Sequence, residues 1–193
     1  MMSLRQRNRH NAMRLTQRTA LELFRENGFD AVTVGQIADE VGMAASTLYR
    51  HFATKEAIVL WDEHDAALDK AFEKHFARHA PFQAMRALFA EEIGGRYTED
   101  LDFQLTRVRY IYATEQLHAA AVEASFRDTA ELTAGLEHFL TPRNRHAASL
   151  LAGAAMLALD AAFDRWQEDD AEKSLDTLIE EAFDTLAKLD SLT

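Results

Sequence analysis

TVGQIADEVGMAASTLYRHFATK, residues 33–55, decides the fold of this 193-residue chain. Thr33 followed three residues later by Gln36 forms a capping box, in which each side chain meets the other residue's backbone amide. A helix therefore begins there and carries Ile37, Ala38 and Val41 on its buried side. Gly42 ends it, because a residue without Cβ enters the left-handed region freely and turns the chain within about one residue, with Met43 packing into the corner. A second helix, 45–52, keeps Leu48 and Phe52 at i and i+4 for a core. Ala45, Ser46, Thr47, Tyr49, Arg50 and His51 then face outward, and the whole is a helix-turn-helix.

That outward face suits a nucleic-acid duplex. Short hydroxyl and methyl side chains at the N-terminal end of a helix let its backbone approach base edges, Tyr49, His51 and Lys55 reach phosphates, and Arg50 offers a bidentate pair to guanine. An ordinary helical hairpin with a solvated face has the same spacing, so these residues alone leave both readings open.

A wider set of positions narrows the choice. Ala20, Leu21, Leu23, Phe24 and Asn27-Gly28-Phe29 precede Thr33-Val34, Ile37-Ala38, Val41-Gly42, Thr47-Leu48-Tyr49, His51-Phe52 and Lys55-Glu56. Over roughly residues 12 to 60 this run resembles the N-terminal domain of TetR-family transcriptional regulators. The resemblance implies an all-α fold: a three-helix DNA-binding head, residues 1–53 with a basic N-terminal arm, and a helical ligand-binding and dimerisation domain, residues 54–193. It implies a homodimer that binds a palindromic double-stranded operator and is released by a small-molecule inducer. A repressor is expected; the alternative is an activator, or a regulator without an inducer. The implied DNA contacts are Thr33, Gln36, Ala45, Ser46, Thr47, Tyr49, Arg50, His51 and Lys55. Ala44 stands where such proteins often carry a capping Ser, and Thr16 where an aliphatic residue is common.

The charge is divided to match. The chain carries −11 overall, yet residues 1–60 hold eight Lys/Arg against six Asp/Glu, and residues 61–193 hold thirteen against twenty-six. Arg5, Arg7, Arg9, Arg14 and Arg18 all precede the first acidic residue, Glu22. Screening beyond ~8 Å lets a basic head bind phosphates despite an acidic body. Arg5, Arg7 and Arg9 read either as a polar tail or as an arm reaching phosphates or a minor groove. The 48% hydrophobic content suffices for a core, no Cys is present for disulfide or thiolate chemistry, and no apolar run marks a span or a signal peptide. A cytoplasmic protein with no membrane partner is expected.

Two Pro, seven Gly and no sustained alternation leave helices joined by turns. The spacing predicts helices over about 11–27, 55–79, from Pro81 to Gly94-Gly95, and over 99–114, 117–140, 143–167 and 174–189. The fourth helix, capped by Thr54, is expected to run unbroken from head to body as a lever. In the last two, a small-residue helix (Ala152, Gly153, Ala154, Ala155) and an apolar stripe (Leu175, Leu178, Ile179, Phe183) suggest an interface of two helices from each subunit, the same faces being able to serve an internal core.

Ligand-lining candidates are Trp61, Phe72, Phe89, Ile93, Phe103, Arg107, Tyr110, Ile111, Phe126 and Phe163, all equally suited to plain core. Arg107, among apolar neighbours, either turns outward to solvent or turns inward to a carboxylate of the protein or of an acidic ligand. His75 and His79 share a helix face, with His64 before them, but without Cys and beside Glu73, Lys74 and Arg78 they read as a solvated helix end. No metal, cofactor or catalytic residue is expected, because no nucleophile elbow, phosphate loop or HExxH helix occurs.

Overall fold

The computed structural model describes residues 4–62, 68–140 and 144–189, and among them no strand occurs. The described residues form ten α-helices in order: α1 Leu4–Asn27, α2 Val34–Glu40, α3 Ala45–His51, α4 Lys55–Leu60, α5 Leu68–Phe76, α6 Pro81–Leu88, α7 Leu101–Ala113, α8 Glu115–Glu137, α9 Arg145–Glu168 and α10 Leu175–Leu186. A π-helical turn, Phe89–Ile93, and a 3-10 turn, Gly94–Thr98, lie between α6 and α7.

The chain forms two compact units, and neither is contiguous in sequence. The first holds residues 1–63 with 110–121; the second holds 64–109 with 122–193. The expected boundary after residue 53 therefore shifts, and the end of α7 with the start of α8 returns to the N-terminal unit. Ile111 and Leu117 are the reason, because both are buried in one core with Phe24, Ile37, Leu48, Phe52 and Ile58. Burying each such aliphatic side chain contributes roughly 1.5–3 kcal/mol. The Tyr110 hydroxyl donates to the Phe24 carbonyl at 3.0 Å, and the Gln116 amide donates to Asp30 at 3.2 Å, which fastens the excursion at both ends.

Two helices differ from the expected spans. α1 begins at Leu4, so Arg7 and Arg9 ride on its exposed first turns rather than on a free tail or arm. The single helix expected over 55–79 ends at Leu60, where Trp61 turns away with φ −57° and ψ 130°. Gln17 is the physical cause. Its buried side-chain amide donates to the carbonyls of Ile58 (3.1 Å), Val59 (2.9 Å) and Trp61 (2.9 Å), giving the last carbonyls of α4 a partner outside the helix. Thr16, beside it, is also fully buried; its hydroxyl donates to the Ala12 carbonyl at 2.9 Å, which lets a polar residue occupy an apolar site.

In the second unit α10 packs on α9, on α6 and on both irregular turns. The α10 stripe of Leu175, Leu178, Ile179 and Phe183 is buried there, so it serves the core of the chain itself rather than a free face. Gly94 is essential to this packing, because a Cβ at that position would lie 2.5 Å from Asp176 Cα. α9 is long and apolar enough by composition to cross a bilayer, and its Ala148, Ala152, Ala155 and Trp166 face is buried within the unit.

Candidate functional site

The helix-turn-helix is built by local chemistry at three points. Thr33 Oγ1 accepts from the Gln36 amide at 3.2 Å while Gln36 Oε1 accepts from the Thr33 amide at 2.8 Å, completing the capping box. Gly42 takes φ +69°, and the bonds Met43 N–H to Ala38 O (2.8 Å) and Gly42 N–H to Asp39 O (3.2 Å) close the turn as a Schellman motif. α3 then starts from Ala44, whose backbone is extended as a cap should be but whose methyl accepts nothing. Leu48 and Phe52 anchor the helix to the core.

Ser46, Tyr49 and Arg50 are exposed on α3, with Tyr49 at 55% of its free area, and Ala45, Thr47 and His51 are half-buried. The Arg9 guanidinium donates to His51 Nδ1 at 3.3 Å, which brings the first turns of α1 beside the end of α3. Burial first, and then the charges of Arg9 and Arg50, hold the His51 imidazole below its ordinary pKa. A neutral imidazole flanked by two guanidiniums is a patch that gains from a nearby phosphate.

Lys55 has a task that the sequence did not reveal. Its ammonium donates to the Phe29 carbonyl at 2.5 Å and to the Val32 carbonyl at 3.4 Å, and it lies 4.2 Å from the Phe29 ring centroid. It braces the loop between α1 and α2. Thr33 and Gln36 are likewise engaged with each other, though exposed.

The ligand-lining candidates do not converge on one place. Trp61, Tyr110 and Ile111 belong to the N-terminal unit, where Ile111 is buried core. Phe72 stacks on Phe76 at 4.6 Å, Phe89 is buried against Phe183, Ile93 sits in the π turn, and Phe126 stands 73% exposed on α8. A polar and aromatic group remains around Arg107. The residue is only 6% exposed, so it turns inward, and its guanidinium donates to the Tyr97 hydroxyl at 3.0 Å. Tyr97 meets Phe163 edge-on at 5.0 Å and Trp166 at 5.6 Å. Phe103 and Gln104 lie one turn before Arg107 on α7. The Trp166 indole N–H and the Gln104 side-chain oxygen are buried without a hydrogen-bond partner among the described residues. Tyr97, Gln104 and Trp166 were not singled out from sequence; one aromatic among many helical apolar positions carries no distinguishing signal.

A helix-turn-helix with Ser46, Tyr49 and Arg50 exposed and Arg9 beside His51 is an arrangement whose outer face suits a nucleic-acid duplex. Residues 18–60 match the family model for bacterial regulatory proteins of the tetR family. Over that segment the chain is similar to the DNA-binding domain of TetR-family regulators. It is 39% identical over 95 residues to the helix-turn-helix regulator TcmR of Streptomyces glaucescens, covering 47% of this chain and 41% of that protein. It is 42% identical over 43 residues to the uncharacterised regulator YerO of Bacillus subtilis, covering 22% of this chain and 15% of that one. The matched stretches thus span less than half the length of these relatives. Thermus thermophilus FadR, a TetR-family repressor solved with lauroyl-CoA, shares the fold at TM-score 0.55 and 22% identity, over 91% of this chain and 93% of that one.

Proposed function

We propose that this chain is a ligand-responsive transcriptional regulator, acting as a repressor in the cytoplasm, that binds a palindromic operator as a homodimer and is released by a small, largely apolar molecule. The observation that carries this reading is α3 itself: a short helix held rigidly by the Gly42 turn, with Ser46, Tyr49 and Arg50 exposed and Arg9 and His51 at its flank. Hydroxyls and Arg50 read base edges, while Arg9 and Tyr49 hold phosphates.

The α9 surface supports the homodimer. Leu150 (71% exposed) and Leu157 (63% exposed) lie one heptad apart, with the small residues Gly153 and Ala154 between them, an apolar patch that a second copy covers. This keeps α9 in the expected interface of the last two helices, while the stripe of α10 is spent inside the subunit. The ligand role is supported by the rings of Tyr97, Phe163 and Trp166 around the inward Arg107, a setting for an apolar body with an acidic end.

Selection of binding sites from a random duplex pool tests the reading directly. An inverted repeat should emerge with half-sites roughly 34–36 Å apart or slightly more. Enrichment of no palindrome defeats the dimeric reader. A thermal-shift screen of small metabolites, repeated on Arg107→Ala, tests the ligand; a true inducer lowers operator affinity by a coupling of about 1–3 kcal/mol. A molecule that stabilises the protein strongly and leaves operator affinity unchanged counts against induction.

A further inference from the structure

His75 sits on α5, and the expectation drawn from its spacing was a solvated helix end. His79, one turn on, does lie exposed, and His64 lies outside the described residues. His75 is instead 2% exposed, and its Nε2 has no hydrogen-bond partner among the described residues. An imidazole nitrogen buried without a partner loses its hydration for nothing in return, a cost of about 1–3 kcal/mol that calls for a reason.

That nitrogen points at two carboxylates. Glu91 Oε2 and Glu92 Oε1 each lie 3.7 Å from it, beyond hydrogen-bond length, and the three ligand atoms lie within 4.8 Å of one another. Both acids sit in the π-helical turn Phe89–Ile93, the kind of local widening that recurs at functional sites. The Lys74 ammonium lies 3.2 Å from Glu91 Oε2 and 3.6 Å from Glu92 Oε1, so the oxygen pair already draws a cation.

We propose that His75, Glu91 and Glu92 form a binding site for a borderline divalent transition-metal ion such as Zn²⁺ or Co²⁺. One imidazole and two carboxylates select this class: the imidazole disfavours Mg²⁺ and Ca²⁺, and the absence of thiolate disfavours soft monovalent copper. Two ligands at ~2.0–2.2 Å from one tetrahedral ion stand about 3.4 Å apart, so the two imidazole–carboxylate separations need shorten by only a few tenths of an ångström from 3.7 Å, and the two carboxylate oxygens, which lie within 4.8 Å of each other, close the remainder by rotating about their side-chain bonds. The fourth position stays open to water. Lys74 competes for the same oxygens, and the ion displaces it. The site ties α5 to the π turn within one compact unit, and it is independent of the DNA-binding reading.

The test titrates chelator-stripped full-length protein with Co²⁺, followed by visible absorption, and with Zn²⁺ by calorimetry. One ion per chain is expected, with a cobalt spectrum showing mixed nitrogen and oxygen ligands. H75Q should abolish it, and the E91Q/E92Q pair should weaken it at least about tenfold. K74M should tighten binding, because it removes the competing cation, and H79Q should leave it unchanged. If H75Q fails to fold, the surface variants at 74, 91 and 92 decide. The site is disproved if the wild type binds neither ion, if H75Q binds like the wild type, or if K74M binds no tighter; the cluster is then only an ion-pair network around Lys74.

Discussion

Gln17 Nε2 lies 2.9 Å from the carbonyl oxygen of Trp61, forty-four residues further along the chain. One amide thereby ends α4 from a different helix. Leucine at position 17 should leave the carbonyls of Ile58, Val59 and Trp61 buried without this donor, at a loss of about 1–3 kcal/mol. Gln17→Glu, which sets a carboxylate against three carbonyls, should cost more. Urea unfolding measures both, and a Glu variant as stable as the wild type would show that the amide is not the cap.

Ala44 should be improvable. Its backbone, at φ −65° and ψ 132°, already has the extended geometry of a helix cap, but no side chain accepts from the first turn of α3. Ala44→Ser should therefore stabilise the protein by roughly 1 kcal/mol, read as a raised thermal midpoint.

Gly94→Ala should do the opposite. The added Cβ would stand 2.5 Å from Asp176 Cα and 2.6 Å from its nitrogen, both backbone atoms that cannot swing aside. Displacing α10 should cost about 1–3 kcal/mol. Equal midpoints for wild type and variant would mean that α10 can retreat freely.

His51 should make stability and the proposed operator binding depend on pH with opposite signs. Its pKa is lowered in the folded chain, by burial first and then by Arg9 and Arg50, so below about 6.5 the unfolded chain takes up a proton that the folded one refuses. Stability from this group is present above that range and is lost as pH falls toward the folded value. Duplex phosphates beside His51 would reverse the local field, so His51 should take up the proton on binding and affinity should rise on acidification. Fluorescence anisotropy at pH 7.5 and 6.0, for the wild type and for His51→Gln, should show the rise only with histidine present.

Lys55 and Arg9 should separate structural from phosphate roles. Lys55→Met should lower stability measured without DNA, because Phe29 and Val32 lose a charged donor worth roughly 1.5–3 kcal/mol. Arg9→Ala should lower the salt slope of DNA binding by about 1 and leave base preference intact, whereas Arg50→Ala should relax one base position.

The parts legible in sequence are those whose causes are local. Thr33 and Gln36 are three residues apart, and Gly42 needs only its own φ, so the turn and both its helices could be read directly. The break at Trp61 could not, because its cause is a side chain on α1 and the residues around it keep a continuous helical pattern. Arg107 shows the same limit: periodicity placed it among apolar neighbours, but its direction is set by Tyr97, ten residues away in a 3-10 turn. Tyr110 and Ile111 were legible as core-facing, not as core of the N-terminal unit, since an apolar face does not name its partner.

The return of residues 110–121 to that unit has a consequence for how such heads can be exchanged. A head cut from the chain near residue 60 leaves Phe24, Ile37 and Leu48 without Ile111 and Leu117, and leaves the Phe24 carbonyl without the Tyr110 hydroxyl. Swapping DNA-reading modules between relatives by a single crossover therefore splices two mismatched halves of one core. A working chimera must carry two segments of sequence together, so the proposed DNA-binding specificity should be harder to transplant than the seven residues of α3 suggest.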